Sequence, residues 1–301
     1  MVPLLYILSF WGFFAHALIN GLATFSLPPE MIAFYKPNID FIREKAVNPD
    51  RRRYAVEGEA EKHYIDLDHY SDSAKKALPI YWNDALKIYS EDSLRAHGIG
   101  PWSTYLTFVN LTKAFQEKNT NAILRLSADL GHYLADLNVP LHTTKNYNGQ
   151  LTGQEGIHGF WESRIPEIQA SDYPLWVGKA EYVERPQQAI WDAVFATHSQ
   201  VDSVLSIEKS LSTTFPADQK YSFEERNGLT IRVYSREFSL AYEEALNGQI
   251  ERQMKKSIKM IADFWYTAWI NAGQPDLGSL GTNSIPEEEL KTNPKLKVRD
   301  H

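Results

Sequence analysis

Two pairs of histidine and carboxylate residues at helical spacing mark the stretch from residue 128 to residue 162. His132 and Asp136 are four residues apart, and the same spacing recurs at His158 and Glu162. Each pair therefore faces one side of its segment if that segment is helical. Neutral imidazole nitrogens and carboxylate oxygens are ligands that Zn²⁺ takes in proteins. The leading hypothesis from this stretch is a polynuclear metal site.

The setting of the first pair favours a metal site over a surface hydrogen bond, which is what one such pair usually makes. Pro140 predicts that the helix ends before it and that the chain turns near another imidazole, His142. Polar groups on the buried side of a core helix need a partner, and a metal serves several at once. The apolar residues that predict a core helix here are Leu126, Leu130, Tyr133, Leu134 and Leu137.

Composition excludes several classes of protein and site. A net charge of −7 argues against duplex binding through a broad basic face, although bound cations can still attract phosphates. The absence of cysteine excludes disulfides and thiolate zinc sites. No apolar run reaches the roughly 18 residues of a membrane span. The 301 residues are 43% hydrophobic, which is enough for one large core or two modest ones.

Helical periodicity runs through the chain and period-two alternation is nearly absent, so we predict an all-α fold. A helix is expected to start at Pro28-Pro29-Glu30, and Asn119 or Thr120 is expected to cap the helix that carries His132. A Gly- and Asn-rich loop at 143–156 is a candidate wall of a substrate cleft. The remaining predicted helices cover 74–96, 102–118, 120–138, 188–209, 222–247 and 249–271.

The two ends of the chain differ from the body in composition. Residues 1–10 are apolar, like the hydrophobic part of an export signal, with a short core helix as the alternative. Residues 274–301 are rich in Pro, Gly, Asn and Lys and are predicted to form an exposed tail. Residues 11–273 are then one multi-helix domain, with its metal cluster held between core helices.

Several separated blocks between Trp11 and Glu167 resemble the zinc-dependent phospholipase C and S1/P1 nuclease superfamily. One block, from His132 to His142, is similar to the phospholipase C signature, with Ala135 where Gly or Thr is usual. The other blocks resemble the nucleases, and they are Trp11-Gly-x-x-x-His16, Asp50-x-x-Arg53 and His158-x-x-Trp161-Glu162-x-x-x-Pro166-Glu167. The nucleases usually have Asp where Glu162 stands, and Glu is the phospholipase choice.

The resemblance implies up to three zinc ions. The first would be held by Asp50, His63, His132 and Asp136. The second would be held by His142, His158 and Glu162. The third would be held by His16, by Asp136 as a bridging carboxylate, and by the amino nitrogen and carbonyl oxygen of Trp11. His69, His97, His198 and His301 match no position of the family, and we interpret them as surface or ordinary core histidines.

The activity that the resemblance implies is phosphodiester hydrolysis, in which a metal-activated water attacks phosphorus. Asp50 would orient or deprotonate this water, and Arg53 would bind a phosphate oxygen or hold Asp50. No obligate protein partner is evident. Because the family's mature chains begin at the residue matched by Trp11, the resemblance also implies export and removal of residues 1–10.

The substrate class stays open at this stage. The blocks at Trp11 and Trp161 favour single-stranded nucleic acid, whereas the central signature and Glu162 favour a phospholipid. A non-catalytic zinc protein is a third hypothesis, although closed structural sites usually have four protein ligands and the second group here has three. The aromatic residues that can stack a base or surround a choline group are Tyr64, Trp102, Tyr105, Tyr147, Phe160 and Trp161.

Overall fold

The computed structural model describes residues 12–226, 228–278, 280, 293 and 296. The proposed export signal, Trp11 and His301 lie outside these residues, as does most of the predicted tail. The described part is mostly helical, with one antiparallel hairpin, and this confirms the all-α prediction. No helix within it is both long and apolar enough to cross a bilayer.

The helices differ widely in length, and the three longest, α8, α9 and α15, form the centre of the fold. The α-helices are α1 (Gly12–Ala23), α2 (Pro29–Tyr35), α3 (Ile39–Lys45), α4 (Asn48–Arg52), α5 (Asp72–Lys76), α6 (Trp82–Ala85), α7 (Glu91–Ala96), α8 (Gly100–Gln116), α9 (Thr120–Asp136), α10 (Ile157–Gly159), α11 (Ile165–Gln169), α12 (Pro186–His198), α13 (Val201–Thr214), α14 (Arg236–Ala245) and α15 (Gln249–Asn271). The strands are β1 (Tyr221–Arg226) and β2 (Leu229–Tyr234).

Helix α9 is the central element of the core. Its Leu130 and Leu134 are fully buried, and each such side chain contributes about 1.5–3 kcal/mol relative to exposure. From α15, Trp265 donates its indole N–H to the carbonyl of Ser127, at 3.1 Å. Tyr35 of α2 stacks on Trp265 with ring centroids 5.0 Å apart. These contacts hold α9 rigidly between two other helices, which suits an element that carries metal ligands.

Helix α1 crosses α9 at a point where neither helix has room for a larger side chain. Asn20 is fully buried and its amide donates to the carbonyl of Ala128, at 3.1 Å. A Cβ atom built on Gly131 would lie only 2.2 Å from the Oδ1 atom of Asn20. Glycine at 131 therefore permits the close approach of the two helices, one turn away from His16.

Both ends of α9 lie where the sequence signals predict them. The Asn119 side chain accepts a hydrogen bond from the N–H of Ala122, at 3.1 Å, and so caps α9 as predicted. The helix ends at Asp136, and a 3₁₀ turn at Pro140–Thr143 reverses the chain and carries His142. Helices α2, α8 and α15 also lie where the sequence predicts them, with the ends of α8 shifted by two residues.

Two segments that the sequence predicts as single long helices are interrupted in the structure. The segment 74–96 is three short helices, because Pro79 interrupts the pattern and Ser90 starts a new helix by accepting the N–H of Ser93, at 3.2 Å. The segment 188–209 is two helices, α12 and α13, separated at Ser199 and Gln200. The helical spacing of apolar residues continues across both interruptions. Periodicity alone therefore does not show where one helix ends and the next begins.

The predicted helix at 222–247 is wrong over its first half, which forms the β1–β2 hairpin. The sequence Asn-Gly at 227–228 is a strong hairpin signal, and Gly228 has a φ of 76°, which favours glycine. The second strand is rich in β-branched and aromatic residues. Only after Ser235 caps the chain, by accepting the N–H of Phe238 at 3.1 Å, does α14 begin.

Candidate metal centre

Eight of the nine ligand residues predicted from the sequence converge on one buried region. They come from separate elements, so the cluster exists only in the folded chain. Trp11, the ninth, lies outside the described residues. The contributing residues are His16 from α1, Asp50 from α4, His63 after a 3₁₀ turn, His132 and Asp136 from α9, His142 from the next 3₁₀ turn, His158 from α10 and Glu162 from the π-helical turn Phe160–Arg164.

The first group contains Asp50, His63 and His132, whose ligand atoms all lie within 4.8 Å of one another. The Nε2 atom of His132 lies 3.1 Å from the Nδ1 atom of His63 and 3.7 Å from Asp50. Asp136 adds its Oδ2 atom, 2.9 Å from His63 and 3.2 Å from His132. The structure thus brings together all four residues that the sequence assigns to the first zinc.

The second group contains His142, His158 and Glu162. The Nε2 atoms of the two imidazoles are 3.1 Å apart. The Oε2 atom of Glu162 lies 2.7 Å from His158 and 3.5 Å from His142. All three donors therefore face one another.

His16 lies between these two groups. Its Nε2 atom is 3.3 Å from the Oδ1 atom of Asp136 and 3.4 Å from the Oε1 atom of Glu162. Its ring stacks on His132 with centroids 4.0 Å apart. The two oxygens of Asp136 thus face different neighbours, as a bridging carboxylate requires, while the approach of His16 to Glu162 was not predicted.

Backbone carbonyls fix the orientation of three imidazoles. His132 donates from Nδ1 to the carbonyl of Ala46 at 2.8 Å, and His142 donates to the carbonyl of His63 at 2.6 Å. His158 donates in the same way to the carbonyl of Tyr147, at 3.0 Å. Such contacts set the tautomer and leave Nε2 as an electron-pair donor towards the cluster, which is the usual arrangement of metal-binding histidines.

The donor atoms fit a cation. With both Nδ1 hydrogens committed to carbonyls, neutral His142 and His158 present two acceptor nitrogens to each other and to the Glu162 carboxylate. Only a proton or a metal ion makes this contact favourable. Ligand atoms around a tetrahedral zinc are about 3.3 Å apart, given bonds of about 2.0–2.1 Å. Two of the three separations within this group, 3.1 and 3.5 Å, are close to that value, and the third, 2.7 Å between His158 and Glu162, is shorter.

The cluster is buried on one side and open on the other. His63 and His132 are fully buried, and Asp136 is nearly so. The side chain of Asp50 is 21% exposed and that of Glu162 is 13% exposed. Solvent therefore reaches the cluster past these two carboxylates.

In the metal-free protein, the ionised carboxylates favour the protonated form of a neighbouring imidazole, that of His16. Burial alone would lower the pKa of His16, but its hydrogen bonds with Asp136 and Glu162 raise it to about 10. Burial lowers the pKa of His63 to about 4, so this ring stays neutral. Burial also opposes ionisation of Asp136, yet the adjacent His132 and His142 hold the pKa of its carboxyl well below its usual range. The carboxylates are thus ionised and ready to bind a cation.

Arg53, the other predicted catalytic residue, borders the first group. Its guanidinium Nη1 lies 3.4 Å from the Oδ1 atom of Asp50, and the residue is buried. Burial raises the pKa of Asp50, but His132, His63 and Arg53 outweigh this and lower it. Arg53 thus holds a carboxylate at the open side of the cluster.

A buried ionic network behind the first group was missed by the sequence reasoning. Arg52 lies 2.9 Å from Asp129 and 3.2 Å from Glu59, and the hydroxyl of Tyr133 donates to Glu59. The Tyr133 ring packs edge-on against His63, with centroids 5.4 Å apart. Asp129, one turn before His132, thus pairs with Arg52. The partners are distant in sequence, and the only available signal was the carboxylate one turn before His132.

The remaining histidines have partners outside the candidate ligand groups, and the aromatic candidates differ in burial. His69 stacks on His97, and His198 contacts the Thr143 hydroxyl at 3.1 Å, which agrees with their interpretation as ordinary histidines. The aromatic candidates divide into two sets. Tyr64, Trp102, Phe160 and Trp161 are buried, whereas Tyr105 and Tyr147 are partly exposed.

Comparison with known proteins gives no match to a family model and no match to a curated protein. Two solved structures are similar to the chain in fold at 13% identity. They are the alpha toxin from Clostridium absonum, with a TM-score of 0.48, and the alpha-toxin of Clostridium perfringens isolated from avian strain SWCP, with a TM-score of 0.49. Each match covers 86% of this chain and 64% of the toxin, so the chain spans less than two thirds of either neighbour.

Proposed function

We propose that the chain is a zinc-dependent hydrolase of phosphodiester bonds. One observation carries the proposal: three neighbouring groups of metal ligands, two of which share His132, lie in a buried cluster with an open side. A structural zinc site usually has four protein ligands and no free position, whereas the three ligands of the second group, His142, His158 and Glu162, leave a position for substrate. The partial exposure of Asp50 and Glu162 supports the same distinction.

The donor set supports zinc as the metal. Imidazole nitrogens outnumber carboxylates in the cluster, which is typical of zinc sites and unlike the oxygen-rich sites of magnesium and calcium. Asp50, His63, His132 and Asp136 would hold one ion, and His142, His158 and Glu162 a second. His16, Asp136 and the amino nitrogen and carbonyl oxygen of Trp11 would hold a third. Bound zinc would supply Lewis acidity and positive charge to the phosphate group.

The residues at the open side have distinct roles in this proposal. The ionised Asp50 accepts a hydrogen bond from the attacking water and so orients it towards phosphorus. Arg53 keeps Asp50 ionised and in place, and its guanidinium can donate to a phosphate oxygen that approaches from the same side. The carbonyl contacts of His132, His142 and His158 prevent these rings from turning away from the metals.

Single-stranded nucleic acid is the substrate class that we propose. The support comes from the sequence blocks at Trp11 and at His158–Glu167, both of which resemble the nucleases. The specific observation in favour of a phospholipid is Glu162, which stands where those nucleases usually have Asp. A longer side chain at this position is compatible with its contact to His16, at 3.4 Å.

The test is hydrolysis of single-stranded DNA, RNA and phosphatidylcholine by metal-replete protein, with and without a zinc chelator. We expect chelator-sensitive cleavage of the nucleic acids. Chelator-sensitive cleavage of phosphatidylcholine alone would replace the substrate class but keep the reaction. Zinc-loaded protein that cleaves none of the three would contradict the proposal.

A further inference from the structure

A cavity of about 240 Å³ lies against the helical segment 157–169 that carries His158 and Glu162. Gly156, Gly159 and Arg164 line it, together with residues of the hairpin. None of the eight described ligand residues lines the cavity, although Gly159 directly follows His158 in the chain. The cavity is therefore separate from the metal cluster but only one helix away from it.

One wall of the cavity presents a cation that is stacked on an aromatic ring. The guanidinium of Arg232 lies 4.2 Å from the centroid of the Tyr221 ring. Arg232 is exposed, and it has no carboxylate partner among the residues that the structure describes. Arg164, in contrast, is held by Glu224 at 2.5 Å and by the carbonyl of Tyr234 at 3.3 Å. A planar guanidinium on an aromatic ring is suited to a phosphate or to the face of a base.

The opposite wall is formed in part by the glycine backbone at Gly156 and Gly159, beside the side chains of Glu155, Phe160 and Arg164. A Cβ atom placed on Gly156 or Gly159 would meet no atom within 4 Å. Next to them, Phe160 stacks on Tyr234 with centroids 3.8 Å apart, which fixes the hairpin against the helix. A slot with a glycine wall, aromatic residues and an unpaired arginine fits a flat ring attached to an anion.

We propose that this cavity is a subsite for one nucleotide of a single strand whose scissile phosphodiester lies at the metal centre. The inference rests on the proposed function and names an additional contact for the same substrate. An α-helix with its side chains is about 10–12 Å wide, so the strand must pass around segment 157–169 to reach both sites. The bound nucleotide is therefore a few positions away from the cleaved bond, and a dinucleotide is too short to use it.

Two variants test the subsite without touching a metal ligand. Gly159→Leu fills the cavity, and the backbone there has φ −62° and ψ −25°, so a side chain is accepted in a helical conformation. Arg232→Gln removes the stacked cation. Arg236→Gln is the matched control, because Arg236 is also exposed and loses the same charge four residues further along, outside the cavity.

We expect both test variants to raise KM for a thymidine hexanucleotide about 5- to 100-fold, the range for losing one stacked base. KM for a thymidine dinucleotide and the zinc content should stay at wild-type values, and Arg236→Gln should match wild type throughout. An unchanged KM for the hexanucleotide would overturn the subsite. Equal losses on both substrates would also overturn it, since they would indicate a disturbed metal centre.

A second measurement separates failure of the subsite from failure of the proposed function. Fluorescence anisotropy with a phosphorothioate thymidine hexanucleotide reports binding even if nothing is cleaved. Weaker binding by Gly159→Leu and Arg232→Gln, with wild-type binding by Arg236→Gln, would support the subsite in that case. Variants that lose binding to phosphatidylglycerol vesicles but keep binding to the oligonucleotide would assign the cavity to a lipid and overturn it.

Discussion

Substituting Gly131 with alanine is expected to remove one metal ion and leave the others. The new Cβ atom would lie 2.2 Å from the Oδ1 atom of Asn20, roughly 1.2 Å short of the 3.4 Å at which ordinary contact begins. Asn20 is fully buried and hydrogen-bonded to Ala128, so it has little room to turn away. Helix α1 must therefore move away from α9 by about 1 Å.

The displacement matters because His16 lies one helical turn before Asn20 on the same helix. Metal–ligand distances tolerate deviations of only about 0.2 Å. A shift of about 1 Å takes His16 away from Asp136 and Glu162 and empties the third zinc site. His142 and His158 are oriented by the carbonyls of His63 and Tyr147, neither of which belongs to α1 or α9, so the second group should keep its ion.

The effect on stability is smaller than the effect on metal content. Overpacking costs about 1–3 kcal/mol of unfolding free energy, and replacing a helical glycine with alanine returns about 0.5–1 kcal/mol. We expect a net loss of about 1–2 kcal/mol in urea unfolding of metal-free protein. Gly159→Ala is the control for stability, because its Cβ meets no atom within 4 Å and it should stabilise the chain slightly.

Elemental analysis after equilibration at a fixed free zinc concentration measures the outcome. We expect Gly131→Ala to hold about one zinc fewer per chain than wild type. The additional change Asn20→Ala removes the clashing oxygen, so the double variant should regain that zinc. Full zinc content in the single variant, or no recovery in the double variant, would refute the packing argument.

Three other predictions address the ligand assignment, the protons and the start of the chain. Asp136→Ala should disturb two metal sites in a zinc count and Glu162→Ala mainly one, so equal losses would contradict the bridging role of Asp136. In metal-free protein, protonated His16 stabilises the fold fully below pH 6.5, and this contribution is lost as the pH rises towards about 10. Zinc-loaded protein should instead become more stable over that pH range, because protons compete with the metal for the same ligands. If Tm changes with pH in the same way with and without chelator, this prediction is wrong. Mass determination on native protein should find Trp11 at the N-terminus, since a peptide nitrogen is a poor ligand, and a chain that keeps Met1 and three zincs would exclude this.

Local signals carried the sequence predictions that the structure confirms. Asn119 caps α9 and Pro140 follows its end, and both effects act within one helical turn. The hairpin was not predicted because the apolar spacing in 222–247 also fits a helix, and this spacing continues across the Asn-Gly turn at 227–228. In this segment the apolar spacing favours a helix and the turn residues favour a hairpin, and the structure agrees with the turn residues.

Long-range contacts account for what could not be predicted at the site. The ligand residues were found because their spacing and their motifs are local, although their convergence is a property of the fold. The contact of His16 with Glu162 and the buried network around Arg52 join segments that are far apart in sequence. Neither has a periodic or motif signature, since the partners meet only after α1, α4 and α9 have packed.

Charge balance explains how an acidic chain can attract a phosphate. Asp50, Asp136 and Glu162 place three ionised carboxylates in the cluster, and Arg53 offsets one of them. The hydrogen bonds and charges of Asp136 and Glu162 outweigh burial and raise the pKa of both His16 and His142, so two protons can balance the rest in metal-free protein. In the zinc-loaded protein that we propose, two or three divalent ions would bring more positive charge than the protons they displace. The open side of the centre would then carry a net positive charge that favours a phosphodiester, even though the whole chain has a net charge of −7.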